Sequence, residues 1–243
     1  MIRNTYQAKT YGPIFYSSIE GGLIKTDKFI SATALSYAIG YNLDLLTKYY
    51  VLKGDEAIEP DYSPLKELPF FASDLKPLDV ETEERTFKST SYTEDYNITT
   101  TDGDVAKQLN NDSKYAFPDV KNKSQAGWQE LRYYTGISPG STYRFTIWSE
   151  REMPDKLRFE MGMKRTGYVV ARKTPSPETV DLNQYILEKV YNIPNDRIRE
   201  LMEGGAKYYP ATEPRISRFS EIDIKQAEEL IDEYELHKQV SDK

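Results

Sequence analysis

The sequence has no cysteine and a single histidine, His237, among 243 residues. The first absence removes disulfide staples, zinc–thiolate sites and a cysteine nucleophile. The second leaves a histidine metal cluster or a Ser-His-Asp triad without its parts. No run approaches the roughly 20 apolar residues of a membrane-spanning helix. The opening stretch MIRNTYQAKTYGP lacks the apolar core of a signal peptide. A cytoplasmic protein is therefore expected. Neither a GxxxxGK[ST] nor a GxGxxG phosphate loop occurs. Hydrophobic residues are also few, at 38%, below the usual share of a globular chain. Charged residues make up 29%, and the net charge is -7. Tyrosine is plentiful, with 20 copies against 9 phenylalanines. Tyrosine suits half-wet surfaces, where the ring packs and the hydroxyl stays solvated.

Residues 4–16 read as a strand, a kink at Gly12-Pro13 and a short extended piece. A helix is predicted across Lys28 to Ile39. Ser31 caps it, Ala32, Leu35, Ala38 and Ile39 form its apolar face, and Gly40 is its expected stop. Pro60, Pro64, Pro69 and Pro77 forbid long regular elements over 54–81. Residues 82–135 are rich in Thr, Ser, Asn and Asp and poor in aliphatics, so they bury little apolar area by themselves.

The clearest strands follow Pro139-Gly140. Tyr143, Phe145 and Ile147 alternate with Arg144, Thr146 and Trp148. Leu157, Phe159 and Met161 alternate with Arg158 and Glu160, and Tyr168 to Ala171 form a third strand after a turn at Gly162. Such alternation puts the apolar set on one face and the charged partners on the other. From residue 176 the chain reads as helical and acidic. Ser220, Glu221 and Asp223 give a weak capping box for a last helix with Ala227, Leu230, Ile231 and Tyr234 on one face. His237 is expected to be a solvated histidine on that polar helix.

Positive charge is concentrated in one place. Between Lys156 and Lys173 there are six Lys or Arg and one acid, Glu160. Cations gathered on one sheet edge suit a phosphate backbone, and Tyr168 can stack on a base. The plainer alternative is a charged edge that keeps a strand from pairing with other chains. Carboxylates are plentiful but form no tight constellation in the sequence, so an enzyme is poorly supported.

Two further stretches carry a resemblance. Tyr11-Gly-Pro-Ile-Phe-Tyr-Ser-Ser-Ile-Glu20, followed by Ile30-Ser-Ala-Thr-Ala-Leu-Ser-Tyr-Ala-Ile-Gly40, resembles the start of the type I-D CRISPR-associated Cas-five superfamily, the Csc-one family. Pro139-Gly-Ser-Thr-Tyr-Arg-Phe-Thr-Ile-Trp148, Met153-Pro154 and Met161-Gly-Met-Lys-Arg165 are similar to its Pro-Gly strand and basic hairpin, with Met161 in place of the usual Leu.

The resemblance implies an α+β chain: an RRM-like ferredoxin fold with an antiparallel sheet, a long β-hairpin thumb and a helical C-terminal tail. Residues 1–81 would begin the core, 82–135 would form the thumb-like insertion, 136–175 the core hairpin and 176–243 the acidic tail. It implies a non-catalytic subunit of a Cascade surveillance complex that holds the 5′ handle of CRISPR RNA and caps the backbone filament. Such a subunit sits beside the large subunit, near the protospacer-adjacent motif of target DNA. The candidate RNA contacts are Arg144, Lys164, Arg165, Tyr168, Arg172 and Lys173, with Arg85, Lys88, Lys121 and Lys123 in the insertion. No catalytic residue, metal or cofactor is expected. A metal-independent endoribonuclease that processes precursor RNA stays open, as does a module that binds proteins alone.

Overall fold

The computed structural model describes residues 1–15, 23–46, 62–88, 131–162, 166–210 and 217–238. The elements in chain order are β1 (Ile2–Thr10), β2 (Leu23–Lys25), α1 (Ala32–Asn42), β3 (Phe70–Ala72), β4 (Lys76–Asp79), β5 (Thr82–Lys88) and β6 (Leu131–Ile137). They continue as β7 (Thr142–Ser149), β8 (Lys156–Met161), β9 (Gly167–Lys173), β10 (Thr179–Asn183), α2 (Asn195–Glu203), β11 (Lys207–Tyr209), β12 (Arg218–Asp223) and α3 (Ile224–Glu233).

The main sheet runs β3–β7–β1–β9–β8, with β4 also paired to β7. All these pairings are antiparallel. Strand β1 is central because its pattern serves both neighbours. Tyr6, Ala8 and Thr10 turn inward, while Gln7 and Lys9 turn outward. Tyr6 stacks on its register partner Phe145 at 5.3 Å, and Phe145 meets Phe159 edge-on at 6.5 Å. The Tyr6 hydroxyl donates to the Pro154 carbonyl at 2.7 Å. Helix α1 packs on this face against β8 and β3. Each large apolar side chain fully buried here contributes about 1.5–3 kcal/mol.

The expected alternation over β8 holds: Leu157, Phe159 and Met161 are buried, and Arg158 and Glu160 are exposed. The strand order departs from an uninterrupted βαββαβ chain. Strand β7, which flanks β1 on one side, precedes the β8–β9 hairpin that flanks it on the other.

Ser31 caps α1 as expected, its Oγ accepting from Ala34 N at 3.4 Å. Gly40 is not the stop. It lies within the helix, at a point where an added Cβ would meet the Leu46 and Leu68 side chains at 2.8 and 3.0 Å. The chain reverses later, where Asp44 takes a left-handed φ of 55° and Leu45 N donates to the Gly40 carbonyl. Asp74 adds a second cap from a distance, its Oδ1 accepting from Ala32 N at 2.6 Å. Asp74 is 3% exposed, and burial is the main cause that pushes its carboxyl up to about 8.

A second sheet has the order β2–β6–β5. β5 and β6 form an antiparallel ribbon from Thr82↔Ile137 to Lys88↔Leu131. The insertion expected over 82–135 thus begins and ends in paired strands, and its middle lies outside the described residues.

The C-terminal region departs most from expectation. The stretch expected as a helical tail contains a third sheet, β10–β12–β11, beside α2 and α3. Its strands are hidden in the sequence because polar residues occupy buried positions: Asp181 and Asn183 in β10, Ser220 in β12. Ser220 is therefore a strand residue and not a cap. The cap of α3 is Asp223, whose Oδ1 accepts from Lys225 N at 2.9 Å and Gln226 N at 3.4 Å.

His237 is not solvated. It is 2% exposed, and burial holds its imidazole below the ordinary value. The cause is a reversal after α3: Glu235 takes φ 52°, and Leu236 N donates to the Ile231 carbonyl at 3.0 Å, which folds Leu236 and His237 inward.

This C-terminal unit covers part of the main sheet's second face. Glu228 of α3 accepts from Arg3 at 2.8 Å and from Trp148 Nε1 at 3.4 Å. The Thr5 and Thr146 hydroxyls lie 3.0 Å apart, and Thr5 also meets Ser176 at 3.4 Å. Thr146 and Trp148, expected on a wet face, are fully buried for this reason.

Candidate nucleic-acid interface

The uncovered end of that second face is defined by register. Lys156 pairs with Arg172, Arg172 with Gln7, Gln7 with Arg144, and Arg144 with Lys76. Directly opposite residues share a face, so these five make one row across β8, β9, β1, β7 and β4. Four inter-strand steps of about 4.8 Å give the row a length of roughly 19 Å. The next row runs Arg158, Val170, Lys9 and Thr142. Among the described residues, Lys156, Arg158 and Arg172 make no ion pair. Their crowding has an electrical consequence. The ammonium of Lys156 is held below its ordinary value, mainly by Arg158 and in smaller part by Arg172. A polyanion that screens this repulsion is favoured at the surface.

Beyond the rows, two tyrosines stand in the open. Tyr11 is 59% exposed and Tyr168 is 40% exposed. Their ring centroids are 6.3 Å apart with the planes tilted by 59°. Tyr11 N donates to the Tyr168 carbonyl at 2.7 Å, which fixes their neighbourhood. Gly12 allows this approach, since a Cβ there would lie 2.4 Å from the Thr166 carbonyl oxygen. Gly162, at φ 84°, turns the chain at the end of β8, in agreement with the sequence reading.

The sequence-predicted residues divide into three groups. Arg144, Tyr168 and Arg172 come together on this face. Lys173 does not. Consecutive strand residues point to opposite faces, and its ammonium is paired with Glu152 and, at 3.5 Å, with Asp155. Arg85 belongs to the second sheet and pairs with Glu83 at 2.6 Å. Lys88 ends β5 in that sheet. Lys121, Lys123, Lys164 and Arg165 lie outside the described residues. Lys9, Lys76, Lys156 and Arg158 join the face, although the sequence reading does not single them out. Alternation signals Lys156 and Arg158, but Lys9 and Lys76 need the register of β1 and β4.

Arg3 and Lys76 mark the edge of the open area. Arg3 is tied to Glu228, and Lys76 Nζ lies 3.7 Å from Asp181 Oδ1. No group of three or more His, Cys, Asp or Glu able to hold a metal occurs among the described residues. None of the described helices is long and apolar enough to cross a membrane.

Comparison with known proteins bears on this geometry. A chain of a solved assembly, described as "Cryo-EM structure of the Type III-B Cmr-beta bound to cognate target RNA and AMPPnP, state 1", aligns over 90% of this chain and 83% of its own length. The identity is 9% and the TM-score 0.38, a likeness that carries no functional argument. No curated protein matches. The sequence model for "Type I-D CRISPR-associated protein Cas5/Csc1" matches residues 1–198, which spans every strand of the basic face. The chain therefore belongs to the type I-D CRISPR-associated Cas5/Csc1 family.

Proposed function

We propose that the chain is a non-catalytic subunit of a type I-D Cascade complex and binds the 5′ handle of CRISPR RNA. The observation that carries this reading is the row of cations Lys156, Arg172 and Arg144 across one sheet face, flanked by Arg158 and Lys9. Phosphates suit such a row, and the Tyr11–Tyr168 pair offers a ring for a base. In this reading the main sheet is an RRM-like core and the β5–β6 ribbon is the root of a thumb. The subunit caps the backbone filament and meets the large subunit near the protospacer-adjacent motif of target DNA.

The reading includes no RNA cleavage. His237 is buried, so its imidazole is not placed to reach a phosphodiester. Purified protein mixed with labelled precursor RNA, with and without magnesium, should leave the RNA whole. Specific cutting at the repeat, abolished by one substitution in this chain, would overturn the non-catalytic assignment.

RNA binding is tested by titrating handle RNA at several salt concentrations. Replacing Lys156 and Arg172 by Ala should weaken binding. It should also flatten the salt dependence by roughly 0.7 log units of slope for each phosphate no longer neutralised. Unchanged affinity and slope in a folded variant would reject the sheet face as the RNA surface.

A further inference from the structure

The strand pairing that builds the two cationic rows places a third row beyond them. Glu160 of β8 lies opposite Tyr168 of β9. Tyr11 continues β1 past Lys9, and its N donates to the Tyr168 carbonyl at 2.7 Å. The three residues therefore share the face that carries Arg158 and Lys9. All three are exposed. Directly opposite Cβ atoms lie about 5 Å apart, so the Glu160 carboxylate stands beside the Tyr168 ring. Glu160 makes no ion pair among the described residues. Across β8, β9, β1 and β7 it is the one acid on this open face. An acid on a face that holds a polyanion costs affinity by repulsion, unless the ligand donates hydrogen bonds to it.

We propose that Glu160, beside the Tyr11–Tyr168 pair, selects one guanine in the bound RNA. The inference rests on the RNA-binding reading above. The guanine stacks on a tyrosine ring and turns its edge to the carboxylate. Guanine alone among the four bases has two adjacent donors on its Watson–Crick edge, N1–H and the N2 amino group. They match the two oxygens of an ionised carboxylate, which only accepts. Adenine and cytosine each offer one amino donor beside a ring nitrogen acceptor, which would face the second oxygen. Uracil offers one ring donor flanked by two carbonyl oxygens. The pair Glu160–Tyr168 is followed in the ladder by Met161–Gly167, so paired backbone sets the site before RNA arrives. The charge-assisted hydrogen bonds offset the repulsion for guanine and leave it in force for the other bases.

The test uses the whole chain and short single-stranded oligouridines, each with one guanosine at a successive position, plus matching adenosine, cytidine and inosine series. Guanosine at one position should tighten binding roughly tenfold over plain oligouridine. Inosine, which lacks the N2 amino group, should keep only part of that gain. E160Q is a surface substitution and should fold. It should bind plain oligouridine more tightly, because a repelling charge is gone, and should lose the guanosine preference. Equal affinity for every base at every position, or a preference for adenosine or cytidine, would sink the guanine assignment. If K156A/R172A still weakened binding in that case, the sheet would stand as an RNA surface. A guanosine preference that survives E160Q would also overturn the inference, since another group would then read the base. Handle RNA bound while every oligouridine-based strand is not would remove the inference and keep the RNA-binding reading. Failure of handle RNA itself to bind would sink both.

Discussion

At the Trp148 end of the second sheet face, side chains are buried under α3 and residues 174–181. At the Lys156–Arg172 end, the same strand alternation leaves cations in water. Charge is handled differently in the two regions. In the C-terminal unit, Arg197 pairs with Glu233, Lys207 with Glu221 and Lys238 with Glu235. On the open face, Lys156, Arg158 and Arg172 make no ion pair among the described residues, and Glu160 is the one acid that shares their face of β8. A local excess of cations becomes a binding field only where acids do not neutralise it. The open face satisfies that condition and the C-terminal unit does not.

The covered end should respond most to truncation. Trp148 is fully buried, against Phe71 at 6.2 Å and under Glu228. W148A removes the largest side chain joining the C-terminal unit to the sheet and should cost about 3–5 kcal/mol. Denaturant unfolding measures this directly. A loss below about 1 kcal/mol, less than the usual cost of emptying a buried aromatic site, would mean that the two regions are not packed as one body.

The open end should respond to charge and leave stability almost untouched. Reversing Lys156, Arg158 and Arg172 to Glu should weaken handle-RNA binding roughly a hundredfold at moderate salt, since three cations are both removed and inverted. The melting temperature should change little, because these side chains lie on the surface and make no ion pair among the described residues. An affinity unchanged by this triple reversal would erase the functional contrast between the two ends.

Much of this fold is legible in the residues themselves. The β7 and β8 alternation, the Ser31 cap and the apolar face of α1 are local patterns, and local patterns survive in a sequence. The row is not legible, because it depends on which residue of β1 lies opposite Arg172 and Arg144. That register is set by packing between strands far apart in the chain. Lys173 parts from Arg172 for a similar reason: adjacency in sequence means opposite faces in a strand. The third sheet escapes a sequence reading because Asp181, Asn183 and Ser220 break its apolar rhythm. His237 escapes because the turn that buries it lies beyond the last helix, where sequence patterns suggest only fraying.

Asp74 sits at the boundary between the two regions. Its backbone N donates to the Asp181 carbonyl at 2.9 Å, and its carboxyl caps α1. Its folded value of about 8 lies above the ordinary 3.8. The folded protein thus binds this proton more tightly than the unfolded chain does, so the contribution of Asp74 falls as pH rises from about 4 to about 8. His237 acts in the opposite sense, because its lowered value makes the folded state lose stability as pH falls through its titration range. The difference between wild type and D74N isolates Asp74. Melting curves should show D74N gaining on wild type from about pH 5 to pH 8 and levelling off above. A constant gap over that range would show that the Asp74 carboxyl is already ionised at low pH.

The smallest effect belongs to Lys207, and it sharpens the contrast by being small. Lys207 lies on the exposed edge strand β11, and its ammonium is 2.8 Å from Glu221. That pairing holds Lys207 above its ordinary value and Glu221 below its own, through their hydrogen bond first and their charges second. The pair is on the surface, so water and salt screen it and most of its attraction is returned on solvation. K207A should therefore leave the melting curve unchanged within error. It should also leave handle-RNA affinity and its salt slope unchanged, because a cation already matched by an acid adds little field at the sheet face. R172A removes the same formal charge and should weaken binding in the same assay. If K207A weakened RNA binding as much as R172A, net charge alone would govern affinity, and the geometric distinction between paired and unpaired cations would fail.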